Sequence, residues 1–145
     1  MKFLVINGVN LNLLGTREPD KYGNLSLKDL EKSLFEYSFD LNVDLEMFQS
    51  NIEGELVDKI HSSLNEIDGI VINAGAYTHT SIALRDAISG VKIPTVEVHL
   101  TNIYAREDFR HHSYLAPVCV GQISGFGFEG YKMALSALKS HVEKL

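Results

Sequence analysis

Two groups of residues have the types and spacing for acid–base chemistry. Arg17 and Tyr22 share one loop, Gly8–Asn24, in which glycines at 8, 15 and 23 allow sharp turns or hinges. A free tyrosine titrates near pKa ~10, too high for a base at neutral pH. A nearby cation favours the phenolate, and bringing the pKa down by roughly two to three needs about 3–4 kcal/mol of differential interaction. Arg17 is near enough in sequence to supply much of that in a closed, dry site. Tyr22 equally fits a loop aromatic covering apolar surface, with Arg17 solvated. The second group is the run Val96-Glu97-Val98-His99-Leu100-Thr101-Asn102. Strand alternation puts Glu97, His99 and Thr101 on one face. A carboxylate two residues from a histidine can orient the ring and support its protonated form. The plainer reading is a histidine satisfied at the rim of a sheet.

Other residues suit recognition. Asn73 ends an apolar run, so its amide faces the same crevice. His79 precedes a helical pattern, with Asp86 seven residues on and near one helical face; Asp86 alone reads as a surface charge. Three of the four arginines, Arg17, Arg106 and Arg110, fall in loops, where a guanidinium suits fixed carboxylate or hydroxyl recognition. His111 and His112 are adjacent, so they point different ways, and no third metal ligand is evident. His61 and His141 lie on helical patterns as surface residues.

These residues need a frame. The 145 residues suit one domain over 1–145, long enough for a core without disulfides or a metal. Apolar residues are 45% and charged residues 22%, ordinary for a globular chain. Strands are expected at Lys2–Asn7, Val43–Gln49, Gly69–Asn73, Pro94–Leu100 and Val118–Ile123. Helices are expected at Ser26–Phe39, Glu53–Ile67, Thr80–Ser89 and Glu129–Lys144. Ser26 with Asp29 resembles a capping box. Leu56, Ile60, Leu64 and Ile67 share one face of the second helix. This alternation implies a parallel sheet with helices on both faces: an α/β, flavodoxin-like three-layer sandwich of five strands in the order 2-1-3-4-5. Ligands in such sheets bind outside the carboxyl ends of the strands. The loops there are Gly8–Asn24, Ala74–His79, Thr101–Tyr114 and Ser124–Phe128.

Composition excludes some functions. The net charge of −6 argues against a general nucleic-acid binder, and no apolar run is long enough for a membrane span. One cysteine, Cys119, sits in an apolar run and reads as a buried, inert thiol in a reducing compartment, so the chain is expected to be cytoplasmic. Gly125-Phe126-Gly127-Phe128-Glu129-Gly130 matches a dinucleotide-binding pattern. No strand follows its helix, so the glycines read as a tight turn.

Four blocks together resemble the type II 3-dehydroquinate dehydratase family over nearly the whole chain. They are Gly8-Val9-Asn10-Leu11-Asn12-Leu13-Leu14-Gly15 with Arg17 and Tyr22-Gly23; Asn73-Ala74-Gly75-Ala76-Tyr77-Thr78-His79-Thr80-Ser81; Glu97-Val98-His99-Leu100-Thr101-Asn102; and Arg106-Glu107 with Phe109-Arg110-His111-His112-Ser113-Tyr114. The resemblance implies a lyase that dehydrates 3-dehydroquinate to 3-dehydroshikimate, a step of the shikimate pathway and of aromatic amino acid biosynthesis. It implies anti elimination through an enolate. Tyr22 would be the base, with its pKa lowered by Arg17, and Asn10 would hold the water that stabilises the enolate. His99 would be the general acid, oriented by Glu97. Asn73, His79 and Arg110 would bind the substrate hydroxyls and ring, and Leu100 and Thr101 its carboxylate. Asp86 would reach a neighbouring subunit's site in a homododecamer built from trimers. No cofactor and no metal are implied, and no nucleic-acid or membrane partner. The family commonly has proline where this chain has Val9, and proline would stiffen the loop.

Two rival readings are a non-catalytic, flavodoxin-like small-ligand-binding module and a dehydratase using a lysine Schiff base. The first expects a phosphate-cradling glycine loop, and Asn10–Leu14 is too apolar for one. The second would draw on Lys21, which lies on a polar loop with no obvious desolvation.

Overall fold

A computed structural model describes residues 1–16, 20 and 24–145. Five strands form one parallel sheet: β1 (Lys2–Asn7), β2 (Asp44–Gln49), β3 (Gly69–Asn73), β4 (Thr95–His99) and β5 (Gly121–Ser124). Their order is β2-β1-β3-β4-β5, the expected one. Three crossovers carry α1 (Leu27–Leu41), α2 (Glu53–Ser62) and α3 (Ile82–Val91), and after β5 the closing α4 (Phe128–Glu143) carries the chain back over the sheet. A further crossover, between β4 and β5, has only short 3-10 turns.

Local chemistry sets the boundaries. Ser26 Oγ accepts from the Asp29 N–H at 3.1 Å, and Asp29 accepts from the Ser26 N–H at 2.8 Å, so the capping box forms and starts α1. Ser81 caps α3 by accepting from the Leu84 N–H at 2.9 Å.

Two expected elements differ. The helix expected to reach Ile67 ends at Ser62. Ser62 and Ser63 both turn their hydroxyls onto the Lys59 carbonyl, and Asn65 takes a left-handed φ of 64°. Leu64 is therefore exposed while Ile67 returns to the core, so the two do not share a helical face. The strand expected at Val118–Ile123 begins only at Gly121. Pro117 lies in a 3-10 turn over Ala116–Val118, lacks an N–H for a ladder, and delays the pairing.

Alternation along the strands sends side chains to two cores. Phe3, Val5, Val71, Val96 and Val98 pack under Leu30 and Leu34 of α1 and Leu135 and Leu138 of α4. Leu4, Ile6, Ile70 and Ile72 pack under Leu56 and Ile60 of α2 and Leu84 and Ile88 of α3. Each such aliphatic contributes about 1.5–3 kcal/mol relative to exposure, so both faces are firmly clamped. Because Val96 and Val98 belong to the first core, Glu97 and His99 point to the side of α2 and α3. The register Asn7↔Asn73, Ile72↔Glu97 and His99↔Ser124 brings the carboxyl ends of the strands to one edge.

Candidate active site

At that edge lies an open crevice. Val9, Asn10 and Leu14 line it from the loop after β1. Asn73, Gly75 and His79 line it from the end of β3 and the 3-10 turn Gly75–His79. His99, Leu100, Thr101, Arg106 and Arg110 line it from the end of β4 and the loop beyond. Three of the four expected loops therefore converge. The fourth, 124–128, makes the tight turn before α4, with Gly125 at φ 100° and Gly127 at φ 58°. Tyr22 and Arg17 lie outside the described residues, as do Gly23 and Lys21.

The first loop is held by the neighbouring strand. Asn10 takes a left-handed φ of 68°, and its N–H donates to Asn51 Oδ1 at 2.9 Å. Gln49 Nε2 donates to both the Gly8 carbonyl and Asn51 Oδ1, each at 3.2 Å. Gly8 is needed for closeness rather than for a turn. A Cβ there would meet the Ala74 carbonyl oxygen at 2.5 Å and the Ala74 carbonyl carbon at 2.7 Å. So the loops after β1 and β3 cross backbone to backbone.

A polar network lies beneath the crevice floor. The buried Tyr131 hydroxyl donates to Asn7 Oδ1 at 2.6 Å and accepts from Asn73 Nδ2 at 2.8 Å. Asn73 Oδ1 in turn accepts from the Gly75 N–H at 3.1 Å. The amide of Asn73 is thus fixed at both atoms, with one Nδ2 proton left over. Burial raises the Tyr131 pKa, so this phenol stays protonated and structural.

Glu97 and His99 meet as alternation requires. His99 Nε2 lies 2.5 Å from Glu97 Oε2, and both residues are buried. Burial alone would raise the Glu97 pKa. The bond to His99, the His99 charge and the Ser113 hydroxyl outweigh it and hold the carboxyl below its ordinary range. Glu97 is therefore an anion at neutral pH, which makes Nε2 of His99 the donor and leaves Nδ1 as the exchanging atom.

His79 stacks on His99 with ring centroids 6.3 Å apart and planes 19° from parallel. Its Nδ1 lies 2.9 Å from the His112 carbonyl, so Nδ1 carries the proton and Nε2 is an acceptor. Burial, with charge from His99 and Arg110, lowers the His79 pKa, so its ring is neutral at pH 7. Arg110 pairs with Glu107, and Arg106 Nη1 reaches Thr101 Oγ1 at 3.4 Å. An acidic chain therefore presents two guanidinium groups and two imidazoles to one cavity. That combination suits a small polyhydroxylated anion and proton transfer on it.

Other expected residues lie elsewhere. Asp86 is exposed on α3, away from the crevice lining. Burial pushes the Cys119 thiol up to about 12, which keeps it inert. His111 contacts the Arg106 carbonyl while His112 meets the Tyr114 ring edge-on. Among the described residues, no group of three His, Cys, Asp or Glu is placed to hold a metal. The reading of single residues missed four that shape the site: Asn51, Thr78, Ser113 and Tyr131. Thr78 and Ser113 stand inside blocks quoted above, but nothing in their types pointed to Glu97.

The sequence profile described as dehydroquinase class II matches residues 1–139. The 3-dehydroquinate dehydratase of Jannaschia sp. is 58% identical over 144 residues, covering 99% of this chain and 97% of that protein. The 3-dehydroquinate dehydratase of Endomicrobium trichonymphae is 55% identical over 139 residues, covering 96% and 97%. The crystal structure of type II dehydroquinase from Butyrivibrio crossotus superposes with a TM-score of 0.94 at 51% identity, covering 96% of this chain and 97% of that one.

Proposed function

This chain belongs to the class II dehydroquinase family, and from that premise we propose that its crevice dehydrates 3-dehydroquinate to 3-dehydroshikimate by enolate chemistry. The observation that carries the mechanism is the Glu97–His99 pair at the end of β4, opening on a cavity with two arginines. A buried carboxylate bonded to one ring nitrogen fixes the orientation of the imidazole, which is what a positioned general acid needs.

In this reading Tyr22, as phenolate beside Arg17, takes a proton from the carbon next to the ketone. The electron pair moves into the carbonyl, giving an enolate whose charge is met by a water held near Asn10. The enolate collapses, the bond to the leaving hydroxyl breaks, and His99 delivers the Nδ1 proton to that oxygen. Water and a conjugated enone result. Tyr22 is left protonated and His99 neutral, and exchange with solvent resets both. No electrons are gained or lost overall, so the step requires no redox cofactor. Asn73, His79 and Arg110 bind the hydroxyls and ring, while Leu100 and Thr101 hold the carboxylate. All five line the crevice.

Assembly and location belong to the same proposal. Asp86 serves a neighbouring subunit's site in a dodecamer of trimers. Ile82, one turn earlier on the same helical face, is 56% exposed, which suits an intersubunit surface. The enzyme works in the cytoplasm; among the described residues, no helix is long and apolar enough to cross a membrane.

Trapping during turnover tests the chemistry. With 3-dehydroquinate and borohydride together, the protein should keep its activity, because no imine forms. Among the described residues no lysine lines the crevice. Substrate-dependent, irreversible loss of activity would overturn the enolate reading in favour of a lysine Schiff base.

A further inference from the structure

We infer that Ser113 and Thr78 are positioning residues that hold the Glu97 carboxylate so that the exchanging proton of His99 stays on the crevice side. This rests on the reading of His99 as general acid. Neither residue lines the crevice.

Counting protons leads there. Ser113 Oγ accepts from the Leu115 N–H at 3.1 Å and the Ala116 N–H at 3.0 Å. Those two bonds fill both lone pairs of the hydroxyl. Its one proton can then go only to Glu97, whose oxygens lie at 2.8 and 3.0 Å. Ser113 is therefore a locked donor, unable to accept from a protonated carboxyl. Thr78, with no exposed surface, adds a donor to Glu97 Oε2 at 3.1 Å. Oε2 is the oxygen that His99 Nε2 meets at 2.5 Å. Both hydroxyls therefore favour the ionised carboxylate and set its plane.

The same clamp ties three segments together. Ser113 belongs to the loop that carries Arg106 and Arg110, and Thr78 to the 3-10 turn that carries His79. The Tyr114 N–H also donates to the Thr78 carbonyl at 2.9 Å. The titratable groups facing the pair are His79 from that turn, Arg110 from the loop, and Cys119 behind Glu97. The Ser113 and Thr78 hydroxyls contact the carboxylate from outside β4 without carrying charge, and the Gln122 amide of β5 helps keep it ionised. The two hydroxyls fix its geometry without altering the charge balance of the crevice.

The test reads His99 directly in the ligand-free protein, by proton and nitrogen NMR of 15N-histidine-labelled enzyme. The native chain should show His99 with a protected proton on Nε2. Ser113→Ala and Thr78→Val should each shift or broaden that signal. Each should also lower kcat by roughly tenfold to a hundredfold, the range that one hydrogen bond to a charged group is worth, with KM little changed. Ser113→Thr, which keeps the hydroxyl, should restore both. Ser113→Ala also strips two backbone N–H groups of their acceptor. Thr78→Val touches neither, and it carries the test if the alanine variant is unfolded. An unmoved His99 signal, or a moved signal with native kcat, overturns the inference. A native chain that turns over no 3-dehydroquinate overturns the proposed function instead, and the NMR readout stands apart from it.

Discussion

Glu97 has no exposed surface, and a buried carboxylate keeps its charge only where partners replace water. Its partners are spread along the chain. His99 is two residues away and was legible from strand alternation. Ser113 is 16 residues on and Thr78 is 19 residues back, and no local period links them. Tyr131 meets Asn7 across 124 residues, from a helix whose own period says nothing of the end of β1. Pairs within one strand could be read from the sequence; bonds made by crossing loops could not.

His79 allows a residue-level prediction. Its folded pKa lies below its unfolded value of about 6.5. Between those two values the unfolded chain binds more protons, so stability falls as the pH drops from about 6.5 toward the folded pKa. Chemical denaturation at pH 7.5 and 5.5 should show a loss for the native chain and a smaller loss for His79→Asn. Equal losses would remove His79 as a contributor.

Among the elements, the parallel sheet was the most legible, since its central strands β1 and β3 are apolar on both faces and its order follows from right-handed crossovers. Element ends were less so. Serines 62 and 63 and Asn65 stopped α2 early through local hydrogen bonds that an apolar period does not register. Pro117 likewise shortened β5. Gly8 looked like a hinge, yet its role is the close crossing at Ala74. Gly8→Ala should therefore force the loops after β1 and β3 apart. The expected cost is about 1–3 kcal/mol, as for an overpacked core, with Tm lower by roughly 2–4 °C per kcal/mol. Activity should fall further than stability, since Asn10 and Gly75 both move. Native Tm and turnover in that variant would show that the crossing has slack.

On the scale of the whole molecule, large apolar side chains stand on the surface: Phe39, Phe109, Phe126 and Ile52 are each more than half exposed. The apolar spacing in the sequence predicted which residues could pack, but not which would be left outside a single chain. The proposed oligomer would cover them and would give the exposed Asp86 a site to serve. Light scattering should give the mass of twelve 16.2 kDa chains. Asp86→Ala should raise KM while leaving the fold of its own subunit intact. A fully active monomer, or an unchanged KM in that variant, would contradict the shared site.

The crevice must convert 3-dehydroquinate to a conjugated enone, and ultraviolet absorbance follows that product as it forms. The native chain should generate the absorbance, and Tyr22→Phe should lose most of it while still binding ligand. A well-folded native oligomer that produces no absorbance, or a Tyr22→Phe variant with near-native rates, would contradict the proposed function.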